Sequence, residues 1–140
     1  MKIHRITPDF AVSGQCAPED FSKIAAWGFT TLLCNRPDRE NPVTLQASRL
    51  RAPAETAGLR FEMLPIIPGS LPPGHITDLQ RLRQESAGPI LAYCASGMRS
   101  ALLWALSEAG SRPTDHILRD TAAVGFVLES LRPQLDALSG

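Results

Sequence analysis

The 140-residue sequence predicts an α/β fold: one three-layer domain over residues 1–140, with a mostly parallel central sheet flanked by helices. Two observations predict it. Short β-prone, largely apolar runs at 29–34, 59–67 and 90–94 alternate with segments of helical spacing. Glycines at 28, 58, 88 and 110 then punctuate those helical segments. Alternation of this kind leaves parallel strands joined by right-handed crossovers, and such sheets bind ligands beyond the carboxyl ends of their strands.

The elements follow in order. Lys2 to Ser13 reads as two extended pieces around Thr7-Pro8-Asp9, a hairpin or sheet edge. After a turn at Gly14–Ala17, Pro18-Glu19-Asp20 opens a helix, with a proline and two acids at its start. Phe21, Ile24, Ala25 and Trp27 give it a buried face. The strand Phe29–Cys34 leads into the polar loop Asn35–Pro42, and a helix is expected from Val43 to Ala57, broken or kinked at Pro53. Leu59–Ile67 is the next strand, Pro68–Gly74 a rigid turn-rich loop, and Ile76–Arg83 a helix. The central strand ends at Cys94, and the helix behind it runs to Gly110. A helix from Arg112-Pro113-Thr114-Asp115 and a last one over Val124–Leu138, disturbed by Pro133, complete the chain.

Composition excludes several function classes. The formal net charge is +0, so no global field points to nucleic acid or an anionic membrane. Three cysteines, Cys16, Cys34 and Cys94, are too few and too irregular for a disulfide framework, and none has metal-ligand spacing to another. No metal or other cofactor is implied. The start Met1-Lys2-Ile3-His4-Arg5 lacks the apolar run of a secretion signal, and no stretch has membrane-spanning length. A cytoplasmic location, which keeps a thiol reduced, is the expectation.

The chemistry concentrates at Cys94-Ala95-Ser96-Gly97-Met98-Arg99-Ser100. A strand, a tight loop and a helix start aim backbone N–H groups at one point, with the positive end of the helix dipole behind them. The predicted nucleophile is Cys94, in an anion-binding loop of Ala95, Ser96, Gly97 and Met98. Arg99 adds planar donors, and a cation at a helix start is unfavourable without an anion to meet it. The Ser100 hydroxyl either donates to the Cys94 sulfur or serves the helix start. If the three strands are neighbours, the loops 35–40, 68–75 and 94–99 converge, bringing Arg36 and His75 within reach as possible pocket residues. Against that, Arg36 reads first as an ion-pair partner of Asp38 or Glu40, and His75 as an ordinary loop residue. Cys16, Cys34 and Trp104 read as core, and His4 and His116 as ordinary strand and helix residues.

The spacing Cys-x-x-Gly-x-Arg resembles the active-site loop of rhodanese-type sulfurtransferases. Cysteine-dependent phosphatases carry one more residue before the arginine and usually a histidine before the cysteine, where this chain has Tyr93. The rest of the chain, in Val12-Ser13-Gly14-Gln15, Gly28–Leu33 and Asn35-Arg36-Pro37-Asp38, resembles the phosphatase-like domain of beta-lactamase-hydrolase-like proteins. That resemblance implies a dual-specificity-phosphatase-like fold and either of two reactions. Loop length favours sulfur transfer: Cys94 takes sulfane sulfur from thiosulfate or a persulfide and passes it to a thiol acceptor. The alternative is hydrolysis of a phosphoester whose leaving group needs little protonation, since Pro65–His75 contains no acid and Asp78 falls inside a helix. A third reading is a non-catalytic anion- or partner-binding domain, against which an intact cysteine–arginine pair argues.

Overall fold

The computed structural model describes all residues from Met1 to Gly140. Five strands form one sheet: β1 (Ile3–Thr7), β2 (Phe10–Ser13), β3 (Thr31–Cys34), β4 (Arg60–Met63) and β5 (Ile90–Tyr93). Their spatial order is β1-β2-β5-β3-β4. The β1–β2 hairpin is antiparallel, whereas β2–β5, β5–β3 and β3–β4 are parallel, so the expected mostly parallel sheet is present.

Period-2 alternation divides the core between the two faces. Leu32, Cys34, Leu91 and Tyr93 face one cluster, packed under α1 (Pro18–Ala26) and α2 (Ala47–Thr56). Leu33, Ile90, Ala92, Phe10 and Val12 face the other. That second face is covered by α3 (Pro73–Glu85), α4 (Met98–Glu108), α5 (Thr114–Ala123) and α6 (Arg132–Ser139). Because β5 is central and flanked on both sides, its four residues are all buried, each large side chain contributing roughly 2 kcal/mol of apolar burial.

Three expected helices have different bounds. The segment expected as one helix from Val43 is a 3₁₀ turn at Val43–Leu45 followed by α2, which continues through Pro53 without the hydrogen bond that an N–H there would make to the Arg49 carbonyl. Helix α3 starts at Pro73 rather than Ile76, with proline in the first turn where no N–H is needed. No helix begins at Val124. Gly125, at φ 102°, terminates α5, and the chain crosses Phe126–Leu128 before α6, in whose first turn Pro133 is accommodated. No helix is long and apolar enough to cross a membrane.

Candidate active site

Cys94 follows directly on β5, between the ends of β2 and β3, and is 1% exposed. The chain turns at Gly97, whose φ of 98° is a left-handed conformation, and α4 begins at the next residue. The Gly97 N–H donates to Cys94 Sγ at 3.1 Å. A Cβ at residue 97 would lie 3.0 Å from the Phe126 ring, so both conformation and space demand glycine there. Gly14, from the Val-Ser-Gly-Gln stretch, is required for a related reason: a Cβ on it would meet the Ala95 carbonyl oxygen at 3.0 Å. The loop is thus clamped between the end of β2 and the segment after α5. Behind it, the first-turn amides of α4 have no intrahelical acceptor and point toward the cysteine end.

Arg99 crosses from α4 to two other loops. Its Nη1 donates to Glu40 Oε2 at 2.9 Å and to the Ile66 carbonyl at 2.7 Å, and its Nη2 donates to Glu40 Oε1 at 2.8 Å. The guanidinium is held by its end edge. Two N–H groups remain, on Nε and Nη2, and they share the side edge that fits an oxyanion in bidentate fashion. The Cys94 sulfur lies close enough to contribute, after Glu40, to holding the positive charge on Arg99.

The three loops do converge as the sequence implies, but through partners the sequence did not single out. Glu40, offered by the sequence only as a partner for Arg36, is the residue of largest consequence. Its carboxylate also accepts from Arg36 Nε at 3.3 Å, and the Arg99 and then Arg36 guanidiniums hold it below the usual glutamate range. Asn35, fully buried, is the second: its Nδ2 donates to the Leu64 carbonyl at 2.9 Å and its Oδ1 accepts from Ser100 Oγ at 2.8 Å. It fastens the ends of β3 and β4 to α4. Neither role has a local signal, because each partner lies more than 25 residues away in sequence.

The other candidate side chains have partners of their own. The Ser100 hydroxyl donates to Asn35, not to the Cys94 sulfur. Arg36 forms the ion pair with Glu40 that the sequence favoured, and it also donates from Nη1 to Gln15 Oε1 at 3.3 Å and from Nη2 to the Glu40 carbonyl at 3.1 Å. His75 lies as the ordinary loop residue it first reads as, its Nε2 2.8 Å from the Pro65 carbonyl. Cys16 and Cys34 are buried core thiols; burial pushes Cys16 up to about 12 and raises Cys34 as well, so neither is a ready second nucleophile. Tyr93, in the place where phosphatases usually carry histidine, turns to the face under α1 and α2, and its hydroxyl is pushed up by burial.

Comparison with known proteins now decides the family. The model of the beta-lactamase hydrolase-like protein phosphatase-like domain matches residues 2–111. The chain belongs to that family. A beta-lactamase hydrolase-like protein of Xylella fastidiosa is 35% identical over 130 residues, covering 91% of this chain and 30% of the relative. The chain therefore spans about a third of the length of the curated relatives it matches. Among solved structures, a candidate phosphatase from Neisseria meningitidis is similar at TM-score 0.84 and 31% identity over 99% of both chains. TpbA of P. aeruginosa, crystallised with pTyr, shares the fold at TM-score 0.62 and 18% identity, over 95% of this chain and 89% of that one.

These findings overturn the expectation of sulfur transfer. A phosphatase-like family and phosphatase structures along nearly the whole chain favour phosphoester hydrolysis over thiosulfate, persulfide or thiol-acceptor chemistry. The physical reason lies in Arg99. Loop length sets the anion cradle only if it alone positions the arginine, and here Glu40 and Ile66, on other loops, position it.

The Glu40 pair also makes a stability prediction. A carboxylate with a lowered folded-state value contributes stability that is complete above its unfolded value, near the ordinary 4.5, and is lost as pH falls through the lowered value. Wild type should exceed Glu40→Gln by roughly 1 kcal/mol at neutral pH, the range of a partly exposed pair, and the gap should close in acid. Urea unfolding of both proteins across the acid range checks this. A gap independent of pH would mean that the charge of Glu40 does not hold the loops.

Proposed function

We propose that this chain is a cysteine-dependent phosphomonoester hydrolase. The observation that supports this best is the side edge of Arg99: two coplanar donors that remain once Glu40 and Ile66 hold the rest of the guanidinium, on the helix that follows the Cys94 turn. Two non-bridging phosphate oxygens match that fork, and the amides of the 95–99 turn and the start of α4 serve the third. TpbA, which shares the fold, was crystallised with pTyr, itself a phosphomonoester, and this is consistent with the proposal.

In the reaction, Cys94 attacks phosphorus in line with the ester oxygen, and a phosphocysteine forms as the P–O bond breaks. The amides and Arg99 hold the three equatorial oxygens, whose charge grows toward the transition state. Water then attacks the phosphocysteine and releases inorganic phosphate. Acid quenching during turnover of p-nitrophenyl phosphate tests this directly. The expected result is release of inorganic phosphate together with a phosphoryl adduct that peptide mass spectrometry places on Cys94. Neither phosphate release nor an adduct would overturn the proposal.

A further inference from the structure

Breaking a phosphate ester leaves an oxygen that either takes a proton from the enzyme or departs as an anion. The protonatable groups on the loops that hold Arg99, and on the start of α3, each have another partner. Glu40 holds both Arg99 donors on one edge, at 2.8 and 2.9 Å, and the two arginines beside it keep it ionised. Asp38 Oδ1 accepts from the Ala47 amide at 2.9 Å, at the start of α2. His75 lies against the Pro65 carbonyl, and Asp78 sits on α3, 3.5 Å from Arg81 Nη1. The loop from Leu64 to Gly74, whose Ile66 carbonyl anchors Arg99, contains no acid.

A cavity of about 320 Å³ adjoins these anchors, lined by Pro37, Asp38, Arg39, Met63, Pro65 and Ile67. Its walls are the chain neighbours of Glu40 on one side and of Ile66 on the other, the two residues that anchor Arg99. Asp38, whose Oδ1 caps the start of α2, and the exposed Arg39 are the charged residues on an otherwise apolar wall. Such a wall suits an aryl or acyl body that carries its developing charge toward a cation.

We infer, on the reading of the site as a phosphatase, that its substrates are phosphate esters and mixed anhydrides whose leaving group departs as a stable anion. The Cys94 thiolate forms the S–P bond while the P–O bond breaks, the bonding pair stays on the leaving oxygen, and no proton is transferred. Water then forms a new P–O bond as the S–P bond breaks, its proton passes to solvent, and the sulfur is again a thiolate. Acyl phosphates and phosphates of acidic phenols qualify; phosphates of simple alcohols do not.

The test is a series of substituted phenyl phosphates, with acetyl phosphate and glycerol phosphate as the two ends. Leaving-group acidity should span about 4 to about 10, from carboxyl to tyrosine-like phenol. With no proton donor, kcat/KM should fall roughly tenfold per unit, about a thousandfold over three units, and glycerol phosphate should not be turned over. A change below about tenfold across the series, or hydrolysis of glycerol phosphate within tenfold of p-nitrophenyl phosphate, overturns the inference and leaves the phosphatase reading standing. Silence on every substrate, with no phosphocysteine, removes both. The variant E40Q should be slower yet keep the steep dependence; a shallow dependence in wild type that steepens in E40Q would make Glu40 the proton donor and overturn the inference. R39A should lower kcat/KM across the aryl series several-fold without changing inhibition by inorganic phosphate. No change in the aryl series would exclude the cavity as the leaving-group site.

Discussion

Cys94→Ser is expected to lower turnover of p-nitrophenyl phosphate by on the order of 10⁴–10⁶-fold, the range seen when a covalent nucleophile is removed. A serine hydroxyl is a far poorer nucleophile than a thiolate, and no histidine or carboxylate beside residue 94 is free to act as its base. Phosphate or vanadate binding should survive, because the Arg99 fork and the turn amides do not depend on the sulfur. Calorimetric titration of vanadate into both proteins separates the two effects. Retained turnover in the serine variant would show that Cys94 does not attack phosphorus. Lost anion binding with an unchanged melting temperature would show that the sulfur, rather than the fork, builds the cradle.

Arg99→Lys should cost about 10²–10³-fold in kcat/KM, as for loss of a principal donor to developing negative charge. Lysine keeps the charge, so this variant isolates geometry. Arginine satisfies Glu40 with one edge, the Ile66 carbonyl with Nη1, and the substrate with the other edge. A lysine ammonium is a single point with three donors, and it cannot hold the carboxylate in bidentate fashion while presenting a coplanar pair to phosphate. The loss should appear in kcat as well as KM, because the fork matters more as charge grows on the oxygens. Steady-state kinetics with p-nitrophenyl phosphate decide it. A change in KM alone would assign Arg99 to ground-state binding.

Much of the fold was legible because the signals are local. The apolar runs at 31–34 and 90–93 are buried on both faces, as central parallel strands must be, and the positive-φ glycines at 28, 58 and 110 close helices where expected. The segment after residue 123 misled. Val124, Phe126 and Val127 continue an apolar pattern, but Gly125 between them is a helix breaker, and it turns the chain so that Phe126 packs on Gly97 beneath the Cys94 turn. Pro133 looked like an interruption only because the helix was drawn too long.

The sequence by itself determined that Cys94, a glycine turn and Arg99 share one loop at the mouth of a parallel sheet, since three such residues within six positions constrain each other through the backbone alone. It also determined which loops converge, because strand direction places them all at one end. Only the tertiary structure decided how the arginine is used. Glu40 lies 59 positions from Arg99 and Ile66 lies 33, and Asn35 lies 65 from Ser100. Contacts at that range depend on how three strands stack side by side, which no local pattern encodes. A guanidinium reaches its acceptors through a long flexible stem, so its final direction is set by whichever carboxylate and carbonyl the fold brings to it. The spacing of the loop pointed to sulfur transfer, and only the fold brought Arg99 the carboxylate and carbonyl that hold it.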